Sequence, residues 1–363
     1  MSSLKILFAV WNLNGRPISD SKDNLRKWLT PDADGQPDLF VIGMQELPAL
    51  AVTTLFSTPD TDNLSLQYQS QIEPTIKSII PPGYGRLICN EFGAMSIDIY
   101  IKDNKRHHVK ELATRACGVG ILGGLGQKGG LSVRMSYMGH SLCILSCHLA
   151  ANDGARDTRD AQCSELWTNI QYCNESGRPV SVSDHEHVIM MGDLNYRMQA
   201  PSNVVVDLIR KGGGMISSKD IAIYDEILND SGRGPKSKGL TEMPINFPPT
   251  FKYIPFSDQL NSQDRVPSYT DRILYRPPKP TGQPSAMKCL LYDSVQSCLC
   301  SDHKPVMALF EWNVDDSSSC DHERLPQIWP ADPGNRAAQS LTQAASSIIQ
   351  TSMAQWTYWV GDL

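Results

Sequence analysis

The sequence predicts an α+β protein in which sheets and helices form stacked layers. Short runs of β-branched and large apolar residues, each bounded by turn formers, recur throughout residues 1–313. Helical patterns are fewer and lie between these runs, which indicates layered sheets with inserted helices more than a strict strand–helix alternation. Apolar residues make up 40% and charged residues 20% of the 363-residue chain, values that exclude a disordered or collagen-like protein.

The predicted strands, in chain order, cover residues 5–11, 38–44, 97–102, 131–137, 142–147, 187–191, 272–275 and 306–312. The predicted helices, in which apolar residues repeat every three or four positions, cover residues 24–29, 64–79, 158–172 and 204–211. The composition changes over residues 314–320, from apolar strand residues to acidic residues and serine. We therefore expect a catalytic domain over residues 1–313 and a C-terminal extension over residues 314–363.

The extension contains one further helical pattern. No charged residue lies between Arg336 and Asp362, yet apolar residues repeat there at helical spacing. The apolar positions are Leu341, Ala345, Ile348, Ile349, Met353, Trp356 and Trp359. We expect an uncharged amphipathic helix that packs on the body or on a partner. The alternative is an interfacial helix that binds loosely packed lipid, which the lack of Lys or Arg on its polar face disfavours.

Charge and cysteine patterns limit the functional classes. The chain has 33 Lys and Arg against 39 Asp and Glu, and six of the acidic residues lie in residues 314–363 with only two basic ones. The nearly neutral body argues against sequence-independent nucleic-acid binding, which needs a broad cationic surface. Cys117, Cys143 and Cys147 lie in apolar runs, as reduced thiols do. With no signal-peptide pattern and no apolar stretch near the ~20 residues that span a bilayer, we expect a soluble cytoplasmic protein.

Polar side chains lie at the ends of several apolar runs, where a buried strand would avoid them. They are Asn12 and Asn14 after the first strand, Glu46 after the second, His148 after the fifth, Asp193 and Asn195 after the sixth, Asp271 at the seventh, and Asp302 and His303 before the last. Polar groups at the ends of buried strands are the usual construction of a binding site on a rigid scaffold. We therefore expect these side chains to form one site.

The residue types indicate metal-assisted hydrolysis. Carboxylate and amide oxygens suit a hard cation such as Mg²⁺, which takes few protein ligands and leaves room for a substrate phosphate. Asp193 would accept a proton from an attacking water, while Asn195, His148 and His303 would donate to the phosphoryl oxygens. Asp271 would keep His303 protonated, because a nearby carboxylate stabilises the imidazolium. No motif for a serine, cysteine or aspartyl nucleophile is present, so direct attack of water on a phosphoester is expected.

Eight motifs give the chain a family resemblance. They are WNLNG (11–15), QEL (45–47), GQKGG (126–130), SCHLAA (146–151), GDLNYRM (192–198), FPPTFKY (247–253), RVPSYTDRIL (265–274) and SDHKPV (301–306). Over nearly all of residues 4–313 the sequence resembles the inositol polyphosphate 5-phosphatases, which are Mg²⁺-dependent and related to DNase I. A nuclease of the same fold would share the catalytic residues but not the residues that flank them in GDLNYR and PSYTDRIL. The resemblance implies a DNase I-like four-layer α/β/β/α sandwich with its site at one edge.

The resemblance also implies a role for each residue. The implied metal site consists of Glu46 as the main Mg²⁺ ligand, with Asn12 and Asp302 close to it. The implied catalytic residues are Asp193, which activates the water, Asn195 and His148, which hold the scissile phosphate, His303, which Asp271 orients, and Asn14. The implied substrate-binding residues are Lys128, which faces the substrate phosphates, Lys252 and Arg265, which clasp the 4-phosphate, and Tyr196, Arg197, Arg272 and Lys304.

Four positions depart from the family pattern, and none is in the implied catalytic set. Phe251 stands where the family usually has Tyr, and Gln263 stands where some relatives have Lys. Each of these two changes removes a group that would bind the 4-phosphate, and a charge-assisted hydrogen bond is typically worth about 1.5–3 kcal/mol. Asn152 and Gln127 replace a frequent His and a frequent Asn. We therefore expect intact catalysis with weaker binding of the 4-phosphate.

We predict a Mg²⁺-dependent phosphatase that removes the 5-phosphate from phosphoinositides such as PtdIns(4,5)P₂, from soluble inositol polyphosphates, or from both. One alternative is a nuclease or other phosphodiesterase of the same fold, which the nearly neutral body and the loops at 247–253 and 265–274 disfavour. The other is a non-catalytic phosphoinositide-binding adaptor, which is disfavoured because every implied catalytic position has a competent residue. We expect a monomer without a nucleic-acid partner that contacts membrane surfaces transiently.

Overall fold

The computed structural model describes most of residues 2–314. The described ranges are residues 2–31, 35–48, 68, 72–120, 128–174, 177–229, 232–277 and 286–314. The helix predicted within residues 336–363 lies outside these ranges. Gln127 and most of the helix predicted over residues 64–79 also lie outside them.

The described elements alternate strands with a few helices. The strands are β1 (Ser2–Asn12), β2 (Leu39–Gln45), β3 (Tyr84–Phe92), β4 (Met95–Lys102), β5 (Val109–Gly118), β6 (Gly129–Tyr137), β7 (His140–His148), β8 (Gln171–Cys173), β9 (Pro179–Ser181), β10 (His187–Asp193), β11 (Thr241–Glu242), β12 (Asp271–Arg276), β13 (Ala286–Ser294) and β14 (Val306–Val314). The α-helices are α1 (Lys22–Leu29), α2 (Glu73–Lys77), α3 (Arg156–Asn169), α4 (Ser202–Lys211) and α5 (Ser218–Tyr224).

Two six-stranded mixed sheets form the centre of the molecule. The first has the order β13–β14–β1–β2–β4–β3, and the second has the order β11–β12–β10–β7–β6–β5. One central pair in each sheet is parallel, β1 with β2 and β10 with β7. The neighbours of these pairs, β14 beside β1 and β12 beside β10, are antiparallel to them. β8 and β9 pair separately as two short antiparallel strands.

The two sheets pack face to face through one apolar core. Ile6 and Phe8, on one face of β1, belong to the same buried cluster as Ile144 of β7 and Ile189 of β10. Side chains of a strand alternate between its two faces. The residues of β1 that alternate with Ile6 and Phe8 therefore point to the opposite face and must be covered by other elements. Both faces of the central strands are therefore buried, which explains why these strands consist of almost uninterrupted apolar runs.

Helices cover the outer faces of the sheets. Ala9 and Trp11, on the outer face of β1, cluster with Trp28 of α1, and the rings of Trp11 and Trp28 meet edge to face with their centroids 5.4 Å apart. On the second sheet, Leu145 of β7 clusters with Leu166 of α3. The four layers confirm the predicted α/β/β/α sandwich.

All eight predicted strands are present, with ends shifted by a few residues. The prediction missed all four outer strands of the two sheets. Three of them, β3, β5 and β13, are long strands that are only partly buried. Each of them also has a register shift against its neighbour, at residues 86–88, 110–113 and 289–291. Such bulges are common on edge strands and interrupt the two-residue alternation by which a strand is recognised in sequence.

The helix predicted over residues 158–172 is wrong at its C-terminal end. α3 ends at Asn169, Ile170 is extended, and the following residues pair as β8 with β9. The prediction also missed α5, although the start of this helix carries a sequence signal. That signal is Ser217, an N-cap residue whose side chain accepts a hydrogen bond from the backbone N–H of Asp220.

The described residues bear on two expectations, that the cysteines carry reduced thiols and that no segment spans a membrane. Cys117, Cys143 and Cys147 carry free thiols, and burial raises the pKa of Cys143 to about 11. Among the helices that the structure describes, none has both the length and the apolar character to cross a membrane.

Candidate active site

The polar residues at the strand ends meet at one edge of the sandwich. Asn12 ends β1, Glu46 follows β2, and His148 and Asp193 end β7 and β10. Because each central pair is parallel, the carboxyl ends of its strands lie side by side. β12 and β14 run the opposite way and begin at the same edge, which brings Asp271 opposite Asp193 and places the segment before β14 beside Asn12.

Asn12 links two carboxylates at this edge. Its Nδ2 donates to Glu46 Oε1 at 3.1 Å and to Asp193 Oδ2 at 2.8 Å. Its Oδ1 accepts the backbone N–H of Asn14 at 2.9 Å. His148 Nε2 lies 3.5 Å from Glu46 Oε1 and 3.4 Å from Asp193 Oδ2. Glu46, His148 and Asp193 thus bring their potential ligand atoms within 4.8 Å of one another.

Asp193 is buried and ionised. Burial by itself opposes its charge, but the hydrogen bond to His148 and the positive charges of His303 and Lys128 hold the pKa of Asp193 well below its ordinary value. Its Oδ1 also accepts the backbone N–H of Asn195 at 3.1 Å. An ionised carboxylate only accepts hydrogen bonds, so Asp193 can orient a water molecule through the protons of that water.

The backbone around the site has unusual conformations. Gly192 has a φ of +123°, and a Cβ atom there would lie 2.1 Å from the carbonyl oxygen of Cys147 on β7. Glu46 and Asn195 have φ values of +49° and +58°, and Asn14 has +50°. Left-handed conformations are uncommon for residues other than glycine and occur frequently at functional sites.

Lys128 enters the site from the start of β6. Its Nζ lies 2.5 Å from His148 Nε2. Burial lowers the pKa of Lys128, while the charges of Asp193 and Glu46 act in the opposite direction. The structure therefore brings Lys128 to the same cluster of side chains, and its contact with substrate phosphates stays a prediction.

His303 is a buried cation at the opposite side of Asp193. Its Nδ1 lies 2.9 Å from Asp271 Oδ2, which also accepts the hydroxyls of Thr250 at 2.8 Å and Thr270 at 2.9 Å. Burial disfavours the imidazolium, but Asp271 and the other nearby carboxylates raise the pKa of His303 to about 10. The sequence analysis missed both threonines. Their signal is position, since Thr270 directly precedes Asp271 and Thr250 lies in the FPPTFKY motif.

Asp302 and Glu46 are the oxygen donors that fit a cation. Burial raises the pKa of Asp302, His303 lowers it, and the charge of Glu46 raises it further. Among the described groups, Asp302 Oδ1 is buried without a hydrogen-bond partner. A divalent cation would satisfy this atom and would offset the repulsion between the two carboxylates. The donor set therefore fits a hard metal ion.

Asn12 lies beside Glu46 and contacts it through its amide nitrogen. The backbone N–H of Asn14 needs an acceptor and takes Asn12 Oδ1, so the amide nitrogen of Asn12 faces Glu46. A nitrogen that donates hydrogen bonds does not ligate a cation. In this arrangement Asn12 acts on the metal site by orienting Glu46. Asn14 contributes its backbone to this arrangement.

Arg197 orients Asn195. Its Nε donates to the Asn195 carbonyl oxygen at 3.0 Å and its Nη2 donates to Asn195 Oδ1 at 2.5 Å, while Asn195 Nδ2 donates to the carbonyl of Leu149. The guanidinium lies 4.6 Å from the centroid of the Phe251 ring, and that ring lies 4.5 Å from the His303 ring. Arg197 therefore acts on the site through Asn195 and Phe251, and its direct contact with substrate stays a prediction.

Lys252 and Arg265, which are predicted to clasp the 4-phosphate, lie at the rim of the site. Lys252 Nζ is 2.5 Å from Asp264 Oδ2 and 4.0 Å from Asp302 Oδ2. Arg265 Nη2 donates to Asn152 Oδ1 at 3.2 Å. Both side chains are partly exposed. They can therefore exchange these partners for the phosphates of a ligand.

Arg272 is fully buried and does not reach the site. Its Nε donates to Glu242 Oε1 at 2.7 Å, and its Nη1 donates to Asp225 Oδ2 at 2.9 Å. Although burial opposes the charge, these carboxylates hold the pKa of Arg272 well above its ordinary value. The prediction that Arg272 binds substrate is wrong, because two internal carboxylates already occupy its guanidinium.

Lys304 and Tyr196 are also buried away from the site. Lys304 Nζ donates to the carbonyl of Cys298 at 2.8 Å and lies 4.5 Å from the centroid of the Tyr253 ring. The Tyr196 hydroxyl donates to Asp160 Oδ1 at 2.8 Å. Both side chains are fully buried, so the prediction that they bind substrate is wrong.

Comparison with known proteins places these motifs in a family. Residues 9–309 match the family described as Endonuclease/Exonuclease/phosphatase family 2. The chain is 29% identical over 318 residues to the inositol-1,4,5-trisphosphate 5-phosphatase 1 of Schizosaccharomyces pombe, covering 86% of this chain and 27% of that protein. It is 28% identical over 368 residues to the type I inositol polyphosphate 5-phosphatase 8 of Arabidopsis thaliana, covering 89% of this chain and 74% of that protein.

A similar fold is found in a crystal structure with a bound ligand. The inositol polyphosphate 5-phosphatase domain of SPsynaptojanin, in complex with inositol (1,4)-bisphosphate and a calcium ion, aligns with a TM-score of 0.69 and 25% identity. The alignment covers 97% of this chain and 93% of that domain. The chain therefore belongs to the endonuclease/exonuclease/phosphatase family 2, and within it is similar to the inositol polyphosphate 5-phosphatases.

Proposed function

We propose that this chain is a phosphatase that removes the 5-phosphate from phosphoinositides such as PtdIns(4,5)P₂, from soluble inositol polyphosphates, or from both. The observation that carries the proposal is the meeting of Asp193, His148 and His303 beside the oxygen donors Glu46 and Asp302. The names of the relatives and the inositol (1,4)-bisphosphate in the similar domain support it. Inositol (1,4)-bisphosphate is what remains when Ins(1,4,5)P₃ loses its 5-phosphate.

The cation that we propose is Mg²⁺. Glu46 and Asp302 would hold it, with Asn12 orienting Glu46, because these carboxylates offer hard oxygen donors and Asp302 Oδ1 lacks another partner. Proteins bind Mg²⁺ through one or two carboxylates together with substrate phosphate and water. When bound, the cation supplies positive charge that reduces the repulsion between the phosphate and the attacking oxygen.

In this proposal the side chains divide the reaction between them. Asp193 orients the attacking water and takes its proton as the water oxygen bonds to phosphorus. The bond to the inositol oxygen breaks, and that oxygen leaves with the electron pair and takes a proton from solvent to become a hydroxyl. Asn195, which Arg197 holds in place, and His148 position the phosphoryl oxygens. His303, a cation up to about pH 10, donates to the oxygen on which negative charge develops.

The rim residues support a polyphosphorylated substrate. Lys128, Lys252 and Arg265 would bind the phosphates that are not cleaved. Phe251 has no hydroxyl and Gln263 has no charge, so we expect the 4-phosphate to be bound less tightly than it would be with Tyr and Lys at these positions. A lipid substrate requires contact with a membrane surface, and we propose a cytoplasmic monomer that makes this contact transiently.

Phosphate release tests the proposal. Release from short-chain PtdIns(4,5)P₂ and from Ins(1,4,5)P₃ would be measured with Mg²⁺ and with EDTA. We expect release to require Mg²⁺ and to fall at least about a hundredfold in Asp193→Asn, which removes the proton acceptor. The matched control is Asp207→Asn, an exposed residue of α4 paired with Arg210, which should retain full activity. Folded wild-type protein that releases phosphate from neither substrate would refute the proposal.

A further inference from the structure

Two large apolar side chains are exposed on a single short loop, residues 254–258, which we call the rim loop. Among the described residues, the exposed large apolar side chains are Met215, Ile223, Ile254 and Phe256. Phe256 is the most exposed at 63%, and Ile254 is 44% exposed. Single exposed apolar residues are ordinary, but two within three positions beside a binding site indicate a contact surface.

The rim loop has a defined conformation. The backbone N–H of Phe256 donates to the carbonyl of Leu299 at 2.6 Å. Within the loop, the N–H of Ser257 donates to the carbonyl of Ile254, and the N–H of Ile254 donates to that of Gln259. Phe256 has a φ of +63°, which is disfavoured for a bulky side chain. The chain thus presents an aromatic ring to solvent in a conformation that it adopts at a cost.

The rim loop also adjoins the candidate active site. The backbone N–H of Tyr253, just before the loop, donates to the carbonyl of Asp302 at 2.9 Å. The guanidinium of Arg16, in the turn after β1, lies 5.5 Å from the centroid of the Phe256 ring. The loop is therefore packed between the segment that follows Asn12 and the segment that carries Asp302.

We propose that the rim loop inserts Phe256 and Ile254 into the interfacial region of the lipid bilayer that contains the substrate, and so seats the active site over a phosphoinositide headgroup. This inference rests on the proposed function and adds the surface through which the protein meets the membrane. Aromatic and aliphatic side chains partition into the headgroup–acyl boundary of a bilayer. Arg16 beside the ring offers a cation to the lipid phosphates.

The size of the exposed surface favours a membrane over a protein partner. Asp258 in the same loop is exposed and acidic, so apolar insertion, and not attraction to a strongly anionic surface, must provide the affinity. Two side chains on one loop are too small a surface for a stable protein interface, which typically buries more than about 1,000 Å². They suffice for shallow insertion, because the substrate headgroup itself adds to the binding.

The test compares membrane and soluble substrates in the full chain. The variants are Phe256→Ala, Phe256→Trp and, as a matched control, Ile223→Ala, which changes an exposed side chain on α5. One readout is turnover of Ins(1,4,5)P₃ and of PtdIns(4,5)P₂ in phosphatidylcholine vesicles. The other is cosedimentation with the same vesicles in EDTA, which does not depend on turnover.

We expect Phe256→Ala to lower both vesicle turnover and cosedimentation about tenfold, the effect of withdrawing most of an aromatic ring from the interface. Its turnover of Ins(1,4,5)P₃ should stay within about twofold of wild type. Phe256→Trp should retain vesicle binding, and Ile223→Ala should match wild type in every assay.

Three outcomes would overturn the inference. An equal loss on both substrates would mean that Phe256 shapes the site, and unchanged vesicle binding would mean that the loop does not touch lipid. A wild-type dimer in sedimentation velocity that Phe256→Ala dissociates would mean that a second copy covers the loop. Cosedimentation remains informative if neither substrate is hydrolysed, so failure of the proposed function is distinguishable from failure of the inference.

Discussion

Buried charges in this protein differ in whether internal partners use all of their polar atoms. Asp193 and His303 are compensated by each other and by neighbouring groups, yet Asp193 retains acceptor capacity toward the site. Arg272 is compensated completely by Asp225 and Glu242. A charge of the first kind can act on a substrate, whereas a charge of the second kind joins parts of the structure together. Arg272 connects β12 with β11 and with the turn that follows α5.

Replacement of Arg272 is predicted to affect stability and not substrate binding directly. Arg272→Met leaves two carboxylates buried without their cation, which typically costs about 3–5 kcal/mol. We expect a lower free energy of unfolding in urea at pH 7, with Arg210→Met, an exposed and paired residue of α4, close to wild type as the control. A raised KM with an unchanged unfolding midpoint would instead restore the predicted role in substrate binding.

The site is assembled by the register of the central strands. Asp193 at the end of β10 lies opposite His148 of β7 on one side and opposite Asp271 of β12 on the other. Gly192 lies opposite Cys147 in the same register, and the close approach of the two backbones there leaves no room for a side chain. A shift in this pairing would separate the Asp193 carboxylate from both histidines.

Gly192→Ala is predicted to be much more damaging than an alanine at a comparable glycine. The new Cβ would meet the Cys147 carbonyl oxygen at 2.1 Å, so β7 and β10 must move apart. We expect a loss of more than about 3 kcal/mol in urea unfolding. The control is Gly213→Ala, where φ is +68° but no atom lies within 4 Å of the Cβ, so only a backbone cost of about 1–2 kcal/mol applies. Equal losses in the two variants would contradict the steric argument.

Buried histidines at the two ends of the sandwich have pKa values that are shifted in opposite directions. At the active-site end, nearby carboxylates keep His303 protonated. His187 starts β10, and its ring lies 5.1 Å from Trp312 near the end of β14, so it belongs to the other end of the sandwich. Burial, followed by the charge of His140, lowers the pKa of His187 to about 4. Burial, followed by the charge of Arg134, lowers the pKa of His185, two residues earlier, to about 4.

From the pKa values of these two histidines we predict that the folded protein is less stable at acidic pH than at neutral pH. Each is neutral in the folded state above about pH 4 but takes up a proton near pH 6.5 when unfolded. The unfolded state therefore binds more protons in this window, and stability is full above about pH 6.5 and is lost as the pH falls toward 4. At pH 5 each histidine contributes a loss of about 2 kcal/mol.

The pH prediction can be measured by urea unfolding at pH 7 and at pH 5. We expect His185→Asn, which keeps a donor for the carbonyl of Ser181, to lose less stability than wild type between the two pH values. His107→Asn, at an exposed position, serves as the control and should follow wild type. An undiminished pH dependence in His185→Asn would show that the acid sensitivity arises elsewhere.

The sequence alone determined the central strands, the candidate catalytic residues and the family resemblance. The central strands are buried on both faces, so their apolar runs are readable without knowledge of their neighbours. The residues Glu46, His148, Asp193, Asp271 and His303 were predictable because each follows or precedes such a run within a specific motif.

Only the tertiary structure decided which basic and polar side chains reach the site. Arg272, Lys304 and Tyr196 lie in the same motifs as residues of the site, yet all three are buried, whereas Lys128 and Lys252 contact its carboxylates or histidine. The edge strands β3, β5 and β13 were likewise assigned only by their pairing. The physical reason is that an apolar run is a local property of the chain. The partner of a charge and the burial of an edge strand depend instead on residues that are distant in sequence and come together only in the fold.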